Sequence, residues 1–272
     1  MEEIIESVLL NSGYEKRTSK DFNTDYAIDE GMLRTFLEST QRDKVQRARI
    51  YDSEVNTRKF YERLRGQITQ RGIVNVLRQG VEHNATKFIL YFPTPLDANL
   101  QAKALYENNR FCCVRQLHYS KQHPELSIDM VLMLNGLPII TMELKNDLSC
   151  QTVADAIHQY RTDRDPKELL LQKKRCAVHF AVDDNEVIMC TALNGEASLF
   201  LPCNKGVDDG AGNPVNPNGL KTAYLWEEIL QKASLSDILE NFAQVVKEKD
   251  EDTGKTKENV IWPRYHQLEC TR

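Results

Sequence analysis

The stretch Ser127 to Lys145, SIDMVLMLNGLPIITMELK, constrains this chain more than any other: two apolar runs of strand length are separated by Asn135-Gly136. Asn-Gly between strand-like runs is the strongest short-range hairpin signal, because both positions of the tight turn need positive φ. The pattern therefore predicts two antiparallel strands. They carry three charged residues, Asp129 on the first run and Glu143 and Lys145 on the second. An ionised group on a mostly apolar strand must be paired, solvated or bound to a cation, so these three are the first candidates for chemistry.

Side chains two apart on a strand share a face, so Glu143 and Lys145 project together while Leu144 points back into the core. A carboxylate from each strand plus the Leu144 backbone carbonyl offers hard oxygen ligands suited to Mg2+, which keeps several waters and bridges readily to phosphate. The Lys145 ammonium can orient the attacking water and offset charge at phosphorus, as metal-assisted phosphodiester hydrolysis needs. Register decides whether this holds. In a plain two-residue hairpin Leu134 faces Leu137, and Asp129 and Glu143 fall on opposite faces. A shared site requires a three-residue connection (Asn135, Gly136, Leu137) or a one-residue bulge, with Gly136 at positive φ. The competing reading is an ion pair on a surface strand, which contributes little.

The pattern D-x-V-L-x-x-N-G-L-P-x-x-x-x-E-L-K, from Asp129 to Lys145, resembles the N-terminal endonuclease region of the restriction (R, motor) subunit of type I restriction enzymes. Ile128 stands where the proline of the PD-(D/E)xK name would be. The resemblance implies an α/β fold: a PD-(D/E)xK restriction-endonuclease-like mixed sheet flanked by helices, with a helical N-terminal part and a helical C-terminal connector. It implies Mg2+-dependent cleavage of double-stranded DNA, with methyltransferase and specificity subunits as partners and ATP used only by the full-length subunit. Two other readings stay open, a non-catalytic docking module of the same complex and a stand-alone repair nuclease of the same fold.

The same resemblance marks further residues. A first-helix glutamate lies a fixed distance before a Gly-Tyr pair in the family, and Gly13-Tyr14 makes Glu2 its match; a solvated helix start is the other explanation. The family's Q-x-x-x-Y motif falls on Ala156 to Tyr160, with the tyrosine kept, alanine at the glutamine position and Gln159 almost one turn later. Tyr160 then either orders the site, contacts a DNA phosphate or packs in the core, and Gln159 supports the site. Trp262-Pro263-Arg264-Tyr265-His266-Gln267 is similar to the segment that opens the motor domain, where the glutamine contacts adenine. Residues 262–272 thus read as a truncated start of that domain, and Gln267 as an adenine contact in the full-length protein only.

At 272 residues with 41% hydrophobic content the chain suits one large domain or one domain with an appendage. No apolar run has membrane-spanning length, and MEEIIES lacks a basic n-region, so a cytoplasmic location and no membrane partner are expected. Seven cysteines without a C-x-x-C read as reduced core residues. The net charge of −5 and pI of 5.8 leave any DNA contact to local basic clusters; the one from Lys44 to Arg78 reads first as a solvated helical face and second as a DNA-guiding surface.

Along the chain, periodicity predicts helices over Glu2–Asn11, Glu30–Ser39, Asp52–Arg65 and Ile68–Glu82, then a strand Lys87–Phe92, a helix Asp97–Glu107 and a strand Phe111–Leu117. A helix carrying Val153, Ala156, Ile157 and Tyr160 follows the hairpin, and Cys176–Val182 with Val187–Leu193 forms a second hairpin in which His179 is a core residue. The expected division is an endonuclease domain over 1–205 (15–85 mainly helical), a Gly/Pro loop over 206–219, and a helical connector with a charged linker or solvated hairpin over 220–261.

Overall fold

The computed structural model describes residues 1–95, 99–207, 211–249 and 256–272. Its centre is a seven-stranded mixed sheet whose spatial order follows the chain. The strands are β1 (Glu15–Arg17), β2 (Phe111–His118), β3 (Ser127–Leu134), β4 (Leu137–Leu144), β5 (Val178–Val182), β6 (Val187–Cys190) and β7 (Leu201–Pro202). β1 and β2 are parallel, as are β4 and β5; the other neighbours are antiparallel.

The Asn135-Gly136 turn forms as expected, with φ of 53° and 83°. Leu134 pairs with Leu137 and Met133 with Pro138, but Leu132 then pairs with Ile140. Ile139 is the extra residue, a one-residue bulge. Its consequence is visible in packing: Ile139 and Ile140, consecutive on one strand, both join the same core. From the bulge on, Val131 faces Thr141 and Met130 faces Met142, so continuing the register sets Asp129 across from Glu143.

Two cores cover the sheet. On one face, Met130, Leu132, Ile140, Met142 and Phe180 pack against the N-terminal helices Glu30–Thr40, Glu54–Arg71 and Ile73–Gln79 and against the connector through Trp226, Leu230 and Ile238. On the other, Val131, Met133, Ala181 and Cys190 pack against the helix Val153–Thr162 through Val153, Ala156 and Tyr160, and against Met32, Leu170 and Leu171. A mixed sheet covered on both faces reads as long apolar runs, as β3 and β4 do.

Several expectations need correction. Lys87–Phe92 is not a strand of the sheet: Thr86–Phe88 pairs only with Val81–His83, and Leu90, Tyr91 and Phe92 are buried without joining the sheet. The edge strand beside β2 is Glu15–Arg17 instead. The helix break expected between Arg65 and Ile68 falls instead at Gly72, with φ of 81°, so the helices are Glu54–Arg71 and Ile73–Gln79, and Val81–Glu82, expected to be helical, lie in the strand Val81–His83. Of the helix expected over Asp97–Glu107, Leu100–Glu107 is present, while Asp97 and Ala98 lie outside the described residues. The connector helix is interrupted at Gln231, whose backbone is extended. The charged segment is a hairpin of Gln244–Lys249 with Thr256–Ile261, residues 250–255 lying outside the described set. All seven cysteines are free thiols; five are buried, while Cys150 and Cys270 are exposed. No helix among the described residues is long and apolar enough to cross a membrane.

Candidate metal and phosphodiester site

Glu143 is fully buried, on the sheet face covered by the helix Val153–Thr162. Its Oε1 accepts from Arg164 Nε at 2.7 Å, and its Oε2 is buried with no hydrogen-bond partner. Burial pushes the Glu143 carboxyl up to about 8; the nearby Asp129 carboxylate pushes the same way, and the Arg164 guanidinium opposes both. Asp129 Oδ2 accepts from the Leu144 backbone N–H at 2.7 Å, and Oδ1 accepts from Gln116 Nε2 at 3.2 Å. The bulge therefore does what shared chemistry requires, bringing the two carboxylates to one face.

Lys145 follows the last residue of β4. Its backbone N–H donates to Val182 O at 2.8 Å, fixing the chain on β5, and its ammonium donates to Gln159 Oε1 at 2.6 Å. Gln159 thus orients Lys145, although it does not occupy the glutamine position of the Q-x-x-x-Y pattern. Ala156, which does, is fully buried against the sheet.

Tyr160 is fully buried, which removes the DNA-phosphate reading. Its hydroxyl lies 2.8 Å from Thr141 Oγ1, which is 2.7 Å from His179 Nδ1, and the Tyr160 and His179 rings meet edge-on at 5.9 Å. This chain of three polar groups locks the helix onto β4. The residue before Tyr160 then reaches Lys145, and the residue one turn later, Arg164, reaches Glu143. At its other end the helix is seated by Asp183, whose Oδ2 accepts from the Val153 N–H at 2.7 Å.

His179 is the core histidine expected. Burial alone lowers it to about 3, so the folded protein keeps it neutral while the unfolded chain protonates it near 6.5. Between those values the unfolded state binds more protons, so this group's contribution to stability is lost as pH falls. Wild type should lose about 2 kcal/mol more than His179→Gln between pH 6.5 and 5, read from urea midpoints. Equal losses would contradict a neutral buried His179.

Glu2 stands beside the site. Its Oε1 accepts from Gln116 Nε2 at 2.8 Å and its Oε2 lies 3.2 Å from Arg115 Nε, so Gln116 bridges Glu2 to Asp129. Glu6, one turn further along the same helix, is buried and paired with Lys16 at 2.8 Å. Gln267 is exposed on a short helix, its Oε1 accepting from the Arg264 N–H at 2.8 Å. Trp262 packs edge-on against Phe180 of the core.

Two residues of the site escaped the sequence reading. Gln116 has φ of 48°, a kink that turns its side chain onto Asp129 and that no local motif announces. Arg164 belongs to a run of basic residues and gave no sign of being buried; it lies two residues past the end of the helix Val153–Thr162, where helical spacing no longer applies. The basic N-terminal segment is largely committed to structure: Lys44, Arg63, Arg71 and Arg78 donate to backbone carbonyls.

The donor set fits a hard cation. Glu143 Oε2 accepts from no protein donor, the Asp129 carboxyl stands within hydrogen-bond reach of Glu143, and oxygen is the donor in each case. Among the described residues no group of three or more His, Cys, Asp or Glu could hold a metal, so water and phosphate oxygens would fill the remaining positions.

The family model described as "Type I restriction enzyme R protein N terminus" matches residues 1–198. No curated protein matches the chain.

Proposed function

Because the chain belongs to the type I restriction enzyme R protein N-terminus family, we propose that it is the Mg2+-dependent DNA endonuclease region of such an R subunit. One observation carries this: the Ile139 bulge places Asp129 and Glu143 on one sheet face, with Lys145 two residues on. In a hairpin without the bulge the same sequence could not share a metal.

Asp129, Glu143 and the Leu144 carbonyl would hold Mg2+. When bound, it would supply the charge that polarises the scissile phosphate and acidifies the attacking water. The protein's own groups do the rest. Lys145, held by Gln159, faces the phosphate and offsets the charge that develops on its oxygens. Tyr160 and Thr141 fix the helix that supplies Gln159. Glu2, through Gln116, limits the rotamers open to Asp129.

Residues 1–205 would form the nuclease domain, 206–219 a loop, 220–261 the connector and 262–272 the start of the ATP-driven motor, in which Gln267 would contact adenine. Partners would be double-stranded DNA and the methyltransferase and specificity subunits, in the cytoplasm. DNA sequence would be read by those subunits rather than by this acidic region.

Calorimetric titration with Mg2+ tests the site. Removing a ligand should weaken binding at least as much as the about ten-fold that outer-shell changes cost, so Asp129→Ala and Glu143→Ala should each lose the wild-type signal. Identical isotherms for wild type and Asp129→Ala would refute the assignment.

A further inference from the structure

Arg164 is 5% exposed and contacts a glutamate that is 0% exposed. Burying two charges is costly, and a pair kept only for its mutual attraction normally uses both guanidinium arms on both carboxylate oxygens. That is not the arrangement here. Nε donates to Glu143 Oε1 at 2.7 Å, while Nη2 donates to the Ser127 backbone carbonyl at 2.8 Å. The guanidinium carbon lies 5.9 Å from the centre of the Tyr119 ring. Three attachments, to β4, to the first residue of β3 and to the segment after β2, fix the arginine in one place.

The consequence falls on the other carboxylate oxygen. Glu143 Oε2 is buried and accepts from nothing. An orphaned buried oxygen of this kind is destabilising unless something completes it. Had Arg164 engaged Glu143 through both arms, both oxygens would be satisfied and neither would be free for a cation.

We propose that Arg164 is a positioning residue of the metal site: by tying Oε1 and spending its second arm on Ser127, it holds the Glu143 carboxylate in the orientation that leaves Oε2 free as a cation ligand. The inference rests on reading Asp129 and Glu143 as a metal site. It adds that the rotamer of Glu143 is imposed by a residue outside the D…E-x-K pattern. The Ser127 anchor also couples the two strands that supply the two carboxylates, so a single guanidinium spans the site.

The test is a titration of the whole chain with Mn2+, which takes the same oxygen donors, followed by electron paramagnetic resonance. Arg164→Met should raise the Mn2+ dissociation constant about 10- to 100-fold, the usual effect of losing an outer-shell partner. Arg164→Lys keeps the charge but not the fork and should fall between the two. In a Glu143→Gln background Arg164→Met should change Mn2+ binding no further, because the group it positions is gone. Tyr14→Phe removes a remote buried hydrogen bond to Leu230 O and should leave binding unchanged, which separates positioning from general destabilisation.

If wild type binds Mn2+ no better than Asp129→Ala, the metal reading itself fails. If wild type passes and folded Arg164→Met binds as wild type does, the positioning role is overturned while the metal reading stands. Should Arg164→Met not fold, Arg164→Lys decides: a dissociation constant raised by about three-fold or more, a fraction of the outer-shell effect, supports the role, and an unchanged one overturns it.

Discussion

Replacing Lys145 by alanine in the assembled restriction complex should reduce DNA cleavage by about 10²- to 10³-fold while leaving ATP hydrolysis intact. The magnitude is that of removing one preorganised group aimed at developing charge. The separation of the two activities follows from where Lys145 sits: its ammonium is held by Gln159 at 2.6 Å, on the helix Val153–Thr162, and its backbone on β5 through Val182 O. Parallel assays of DNA cleavage and phosphate release read the result. Loss of both activities would assign Lys145 a structural role, and retention of both would exclude it from the chemistry.

The largest stability effect is expected at the hairpin turn. Gly136 has φ of 83°, and a Cβ there would lie 2.4 Å from Asp29 O and 2.8 Å from Leu33 N, both backbone atoms that cannot swing aside. Its own carbonyl accepts from the Asp29 N–H at 2.8 Å, so the turn is docked onto the start of the helix Glu30–Thr40. Asn135 is fully buried beside it, bonded to Leu90 O, Asn109 and the Arg110 N–H. Gly136→Ala adds left-handed strain of about 1–2 kcal/mol to a clash with fixed backbone, for a total of about 3 kcal/mol or more. The melting temperature should fall by roughly 6–12 °C. Gly66 supplies the contrast. It lies on the exposed side of the helix Glu54–Arg71, a Cβ there meets nothing within 4 Å, and Gly66→Ala should stabilise by about 0.5–1 kcal/mol. Calorimetric scans of the two variants check both signs; a melting temperature unchanged by Gly136→Ala would show that the turn can relax away from the helix.

The hairpin was legible because two rules met on it. Asn-Gly fixes the turn, and the two-residue period of a strand then makes the position of every charged side chain a question of parity. With Asp129 and Glu143 of opposite parity in a plain hairpin, an extra residue was required, and Ile139 is that residue. The helix carrying Tyr160 was legible from its apolar spacing. The strand Glu15–Arg17 was not, because three polar or charged residues at a sheet edge carry no periodicity to detect. Lys87–Phe92 misled for the opposite reason, since its apolar residues are buried by side packing without joining the sheet. Arg164 and Gln116 were invisible for a third reason: burial of a charge and a kink at one residue are both consequences of tertiary contacts, and a single sequence shows neither.

These differences bear on how the site is assembled. The carboxylates and the lysine come from one hairpin, so local rules suffice to place them. Their orientation comes from elsewhere: Arg164 and Gln159 from the following helix and the turn after it, and Gln116 and Glu2 from the preceding strand and the first helix.

The central claim, that Asp129 and Glu143 share a cation, is tested most directly by anomalous diffraction from crystals of this chain soaked in Mn2+. The account predicts a peak within about 2.0–2.5 Å of an Asp129 carboxylate oxygen and of Glu143 Oε2, the range of oxygen ligands on such cations. A map with no peak between these two side chains, or with Mn2+ bound only elsewhere while both carboxylates keep their places, would contradict it.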